Sequence, residues 1–552
     1  MRGGWFRRSW TRGAHLTAPE AGAAPQERHP SFFRPANLLL ITPLCVFGAV
    51  IGMQVLMRLG VTTNTALVGA MVAMALGRVP LASLRIYRSI HVQNLAQSAI
   101  SAATFGAANS LLLPIGIPFA LGRPDLVLPM FVGATLAMLL DATLLYRMFG
   151  SRVFPAEGAW PPGVAAAEAI RAGDEGGRKA WLLGIGLVVG IAGSVFGIPM
   201  SGFGVAFIGN AWALSMFALG LLGRGYVHLW SQFVPAGWTA ADPSHIPQGL
   251  MLGAGLAALA QVVWTIVRGE RATSTIDPAR EASAGRLPVV LGGGAVTYLA
   301  IAALLAALAG FWTQMDWPLL VGFIVYAAFA ALLHELIIGL AGMHSGWFPA
   351  FAVAVVSLAI GLLIGFPPPA LALLVGFTAA TGPAFADMGC DLKAGFLLRG
   401  QGEDMHFELE GRRQQYLAAM FALLVATIVV AVACHGYFAR NTVAPVDHVF
   451  VATIRAGTDP AIARALALWA IPGAALQFLG GQKRQLGIML ATGTLLVSPL
   501  AGWAVATGLI GRALWLHRTG EAGRANCQVF AAGAIAGDAL YSFGSSLVRT
   551  GK

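Results

Sequence analysis

Apolar stretches of about 20 residues recur from Asn37 nearly to the C-terminus, and this recurrence limits the fold more than any other feature. A hydrocarbon core of ~30 Å asks for about 20 residues of helix. No water is present there, so each segment must satisfy its own backbone, as helices and closed barrels do. The runs here are continuous rather than alternating in polarity, which excludes barrel strands. Only 11% of residues are charged, against about 25% in soluble domains. The chain is therefore an all-α, polytopic integral membrane bundle.

The apolar windows predict spans near 38–57, 61–77, 92–113, 126–148, 181–198, 203–222, 248–267, 288–311, 317–341, 347–365, 368–386, 414–436, 462–480, 485–516 and 527–548. That is about 13 to 16 transmembrane helices, because 485–516 is too long for one straight span and carries Ser498-Pro499, the mark of a broken helix or a pair. Residues 1–36 are polar and basic. Arg7-Arg8 is not followed promptly by an apolar run, so this reads as a cytoplasmic N-terminal tail rather than a cleaved signal.

A polar linker, 269–287, separates a first transmembrane half (37–268) from a second (288–552). Phe217–Tyr226 resembles Val505–Leu514, and a glycine-rich stretch follows each, at Gly249–Gly255 and Phe530–Gly537. This echo points to two related halves, a common construction for alternating-access transporters, with broken or re-entrant segments. Arginines after the second and fourth spans put the N-terminus in the cytoplasm. The arginines of the linker break strict alternation, so either a re-entrant piece lies between Gly223 and Ile246 or a span is miscounted. Pairs such as Gly186/Gly190, Gly249/Gly253 and Gly533/Gly537 have the small-xxx-small spacing of closely packed membrane helices.

The net charge of +11 would suggest nucleic acid in a soluble protein; here the basic residues sit in short loops and the tail, as the positive-inside effect requires, and no nucleic-acid partner is expected. Four cysteines, widely spaced and without CxxC, form neither a disulfide framework nor a zinc signature. His334-Glu335 is not followed by a second histidine at position 338, so a zinc protease motif is absent, and His344, His435 and His448 lack ligand spacing. No Walker motif appears, and neither metal nor cofactor is expected.

Ionisable groups at membrane depth are costly and mark substrate or proton paths. Glu335, with His334 beside it, has the most apolar surroundings of any acid. Burial disfavours the charged form of a carboxyl, which suits a proton carrier. The stretch Ala386–Gly395 puts Asp387, Asp391 and Lys393 at the end of an apolar run. Asp391 and Lys393 are two apart, so on a helix they face different ways, and ordinary loop charge is the alternative. Glu168 follows Pro161-Pro162-Gly163 on a small-faced helix, with a salt bridge to Arg171 as its alternative. Asp538 is a lone acid among small residues. Asp141, one and a half turns from a span end, is expected to snorkel to the interface.

Four segments resemble the oligopeptide transporter family, which includes the yellow stripe-like metal-chelate transporters. Pro161–Gly173 is similar to the family's P-x-G-[TV]-A-x-A-E-[VA]-[LI]-[KR]-A-G, and Ala386–Gly395 to A-D-x-x-x-D-L-K-[TA]-G. Ala532–Leu540 resembles A-G-x-I-A-G-[ED]-[AG]-L, with Asp538 where glutamate is common. Asn94 and Gln97 fall in a stretch like N-x-x-Q-T-[IV]-A-S-A, with Ser98 replacing Thr. The resemblance implies proton-driven secondary uptake of small peptides, glutathione-like thiols or chelated metals, a cargo that needs no metal ligands from the protein. On this reading the bilayer, protons and a small-molecule substrate are the partners, and the setting is the inner (plasma) membrane. Asn94, Gln97, Glu168, His334, Glu335, Asp391, Lys393 and Asp538 are the candidates for substrate binding or proton coupling. A symmetric homodimer is a common arrangement for such transporters, though no residue demands one. An intramembrane enzyme or a passive channel for small polar solutes is the alternative.

Overall fold

In a computed structural model, residues 28–59, 66–175, 177–230, 246–268, 287–346, 348, 350–457, 460–496, 498–520 and 523–550 are described. The linker, but for Leu287, and residues 231–245 of the expected re-entrant piece between Gly223 and Ile246 lie outside them. Among the described residues the chain is helical and no strand is formed. Among the described residues eight helices are long and apolar enough to cross a bilayer. Shorter apolar helices fill the rest.

The first series runs α1 (Pro35–Leu59), α2 (Ala66–Arg78), α3 (Ile90–Phe105), α4 (Leu113–Leu121), α5 (Val127–Met148), α6 (Pro161–Glu175), α7 (Gly177–Val195), α8 (Met200–Ile208), α9 (Ala211–Gly225) and α10 (Ile246–Arg268). After α11 (Leu287–Leu308) come α12 (Trp317–Ser345), α13 (Ala350–Ile364), α14 (Pro368–Ala380), α15 (Pro383–Leu398), α16 (Met405–Ala439), α17 (Pro445–Ala456), α18 (Pro460–Arg484), α19 (Leu486–Leu495), α20 (Pro499–Thr519) and α21 (Arg524–Thr550). Proline opens α6, α14, α15, α17, α18 and α20, where its missing N–H costs nothing. The expected break in 485–516 falls between α19 and α20.

The order of helices recurs: α1 to α10 answer to α12 to α21, at a spacing of about 280 residues. The packing follows the same rule. Helix α7 lies along α21 and α10 along α18; α9 meets α19 and α8 meets α20; α3 meets α15 and α4 meets α14. Each pair is one contact seen from either half, the reciprocity a twofold relation produces. The echo Phe217–Tyr226 and Val505–Leu514 falls on α9 and α20, which are equivalent. Helix α11 has no counterpart among the described residues and packs on α5 and α12.

Glycine sets the approach of these crossings. A Cβ on Gly190 would lie 2.3 Å from the Ala534 carbonyl oxygen, one on Gly253 1.8 Å from that of Ala470, and one on Gly493 2.2 Å from that of Phe217. Lipid tails are as apolar as leucine, so such backbone contact holds membrane helices together. Leu39, Val432 and Leu479, exposed by three-quarters or more, face outward to acyl chains.

Two interrupted helices form the centre. Ile90–Leu121 is α3 and α4 joined through a π turn at Gly106–Leu112, and Pro368–Leu398 is α14 and α15 joined through a break at Thr381-Gly382. Each is 94% buried over its most apolar window, against 17% to 56% for the other candidate spans. The charged stretch Ala386–Gly395 is thus no loop beyond a span. It continues into the protein as α15.

Gly253→Leu is expected to lower the thermal midpoint of the purified protein, by about 1–3 kcal/mol of overpacking strain or more. Gly292→Leu, where a Cβ meets nothing within 4 Å, should leave it unchanged. Equal midpoints for the two variants would refute the α10–α18 contact.

Candidate functional site

The two family-like segments Pro161–Gly173 and Ala386–Gly395 turn out to be two sides of one contact. Helix α6 packs on α15, and a Cβ on Gly163 would sit 2.2 Å from the Cys390 carbonyl oxygen. Trp160, wholly buried, presses its ring where a Cβ on Gly389 would be. Gly395 leaves room for the Gln415 side chain. The glycines of both segments therefore bring α6, α15 and α16 close enough for polar side chains to meet.

What meets first is an amide and acid network. Asn94 Nδ2 donates to Gln97 Oε1 (2.8 Å), and Gln97 Nε2 donates to Asp391 Oδ1 (2.6 Å). One turn deeper, Ser101 Oγ donates to Asp387 Oδ1 (2.5 Å). Gln415 on α16 donates from Nε2 to Ser98 Oγ and to the Asp391 carbonyl. Asp387 and Asp391 are four apart, so they share one face of α15. Both line a narrow void with Ala102, Ala142, Ala384 and Met388.

At the α14–α15 break lies a second acid cluster. Gly382, at φ 94°, adopts the left-handed backbone that suits glycine. Its N–H donates to Asp141 Oδ2 (2.6 Å). The Tyr298 hydroxyl on α11 touches both Asp141 Oδ1 and Glu335 Oε2, the latter at 2.7 Å. A phenol has one hydrogen to donate, so bonding both carboxyls requires that one of them carry a proton. All three residues are fully buried.

No ion pair among the described residues reaches Asp141, Glu335, Asp387 or Asp391. Asp391 Oδ2 and Glu335 Oε1 are buried without a hydrogen-bond partner. Carboxyls in such a setting hold or exchange protons, or accept a cation. The charged end of α15 is built differently. Arg399 grips Glu408 through Nε (2.7 Å) and Nη2 (3.1 Å), Arg412 adds a bond to the same carboxylate, and Arg399 Nη1 donates to Gln415 Oε1. Gln415 thereby links the ion network to the backbone of Asp391.

Of the eight residues singled out in the sequence, Asn94, Gln97 and Asp391 come together directly. Glu335 joins Asp141 and Tyr298 instead. His334 turns away, its Nε2 2.9 Å from the Ala350 carbonyl and its Nδ1 3.2 Å from the Thr381 hydroxyl. Lys393 faces away from Asp391, as the spacing requires, and donates to the Ala156 carbonyl (2.8 Å). Glu168 pairs with Arg171 at 3.3 Å. Asp538 accepts from Ser194 Oγ and from Ser201 N and Oγ, apart from the central network.

Asp141 corrects an expectation. It does not snorkel, because α5 sits against α14 and α15 and turns the carboxylate inward to the Gly382 amide. Asp387 was visible in the charged stretch but had no assigned role. Tyr298 gave no local signal, since a single polar residue in an apolar run shows its partner only in the fold; Ser101 lies in the family-like stretch and Gln415 in the polar run Arg412–Gln415, and neither position reveals its partner.

The family model described as OPT oligopeptide transporter protein matches residues 38–239 and 198–549. No curated protein matches the chain.

Arg399→Met leaves Glu408 buried with Arg412 alone and is expected to cost about 3–5 kcal/mol of stability. Replacing Arg399, Glu408 and Arg412 together by methionine or leucine should recover most of that loss. Chemical denaturation in detergent checks both, and a single variant as stable as wild type would refute the network.

Proposed function

The chain belongs to the oligopeptide transporter family, and on that premise we propose that it is a proton-coupled symporter of small peptides or peptide-like metal chelates. The family transports rather than catalyses, and the chain is a multi-pass membrane protein. The observation that carries the finer reading is the set of four buried acids, Asp391, Asp387, Asp141 and Glu335, with no basic partner among the described residues and two orphaned oxygens. They occupy the crossing of the two interrupted helices, where the repeated series meet. Junctions of this kind hold substrate and coupling ions in alternating-access transporters.

In this mechanism Asp387 and Asp391 bind either protons or the cationic amine of the cargo, and Asn94, Gln97 and Ser101 orient them. Asp141, Tyr298 and Glu335 hold a proton beside the helix break. Changing the protonation of Asp141 alters its bond to the Gly382 amide, which ties proton occupancy to the geometry of α15. One chain contains the whole acid set, so the mechanism requires no second copy.

The segment His29–Phe32 packs by Arg399, Phe407 and Gln414, on the side that carries the charged end of α15. The positive-inside effect puts that side, and with it the N-terminus, in the cytoplasm of a cell whose plasma membrane holds the protein.

Purified protein in liposomes with an imposed proton gradient should accumulate di- to hexapeptides or chelated iron or nickel. Asp391→Asn and Glu335→Gln are expected to lower gradient-driven uptake about tenfold or more, equivalent to losing about 1.4 kcal/mol of coupling. Wild-type accumulation that ignores the gradient would overturn symport, and flux that only ever runs downhill would indicate a channel.

A further inference from the structure

We propose that the charged end of α15 holds a carboxylate-binding subsite formed by Lys393 and Arg412 at the N-terminus of α16. The proposal rests on the transport reading in one respect only, that the carboxylate it takes belongs to the cargo. The cavity is lined by Gly150, Ala156, Glu157, Met405, Glu408 and Arg412, and its rim reaches the surface at exposed Glu157 and half-buried Met405.

Three observations converge on an anion. First, Arg412 is 6% exposed and two of its nitrogens are engaged, Nη1 by the Phe149 carbonyl (3.0 Å) and Nη2 by Glu408 (3.3 Å). Its Nε–H is buried without an acceptor. A guanidinium N–H left so is costly, and an anionic oxygen is its best partner. Second, Lys393 is 5% exposed and sits over the Phe396 ring at 5.4 Å, with the Ala156 carbonyl as acceptor for one of its three hydrogens. Ala156 and Phe396 are themselves walls of the cavity. Third, Met405 in the lining is the first residue of the 35-residue helix α16, whose amide end favours negative charge.

Lys393, Arg399 and Arg412 are matched in number by Glu408, which the two arginines already hold, by Glu157 at the rim and by Asp404, which caps α16 through the Phe407 N–H, so the pull on an anion comes from the unpaired Arg412 Nε–H and not from excess charge. The cavity, about 10 Å³, has room for one oxygen of a carboxylate head rather than for a whole cargo. Asp391, two residues before Lys393, points to the opposite face of α15. A zwitterionic cargo would thus find acid on one side of this helix and base on the other.

The test is thermal-shift binding with purified full-length protein at constant ionic strength, using a dipeptide with a free C-terminus, the same dipeptide as its amide, and sodium acetate. The free acid and acetate should raise the midpoint while the amide does not, and Lys393→Met should weaken the acid about tenfold towards the amide. Arg412→Lys, which keeps the charge and removes the Nε–H, should show the same loss if Lys393→Met fails to fold. Equal responses to acid and amide in wild type, or full discrimination retained in both variants, would overturn the subsite. Discrimination without gradient-driven uptake sinks the transport reading and keeps the subsite; uptake without discrimination does the reverse.

Discussion

The crossing of the two interrupted helices is the constraint on which the rest of this structure depends. Helices α3 and α4 pass α15 and α14 in mutual contact, and neither could do so as a continuous helix with large side chains at the junction. The π turn at Gly106–Leu112 and the left-handed Gly382 release backbone groups from the regular ladder. Inside a membrane such groups need partners at once, and Asp141 is the partner of the Gly382 amide. A helix break, an acid and the burial of both are one physical event.

The outer framework obeys a simpler rule. Where α7 meets α21 and α10 meets α18, backbone lies against backbone through glycine, and no charge is needed. Among the described residues the polar bonds there form two small nodes at equivalent places. Asp538 accepts from the start of α8 through Ser201, and Gln477 accepts from the start of α19 through Ile488 N. The repeat is kept in shape but not in charge. The same is true at the centre, since Tyr298 comes from α11, which has no counterpart among the described residues.

Much of this was legible in the sequence. Hydrophobic length and the scarcity of charge set the class, and Ser498-Pro499 marked a real break. The spacing of Asp391 and Lys393 set their opposed directions, and Asn94 and Gln97 proved to be direct neighbours of Asp391. The failures share one cause. Distance from a span end along its own helix puts Asp141 near the interface, whereas α14 and α15 decide where its carboxylate goes. Likewise the end of the span at 386 was read from hydropathy, and the continuation of α15 is stabilised by partners on α3, α6 and α16 that no local window contains.

The separations within the centre have a consequence for how such a chain is made. Gln97 and Asp391 are 294 residues apart, Ser101 and Asp387 286, and Asp141 and Tyr298 157. A chain synthesised from its N-terminus delivers Gln97, Ser101 and Asp141 to the bilayer long before their partners exist. Those groups must wait in a half-finished bundle, held in hydrated or shallow positions until α11, α14 and α15 arrive. Closure of the core is then a late, concerted step in biogenesis, and a ribosome that stops early leaves behind exposed acids and amides of the kind membrane quality control recognises.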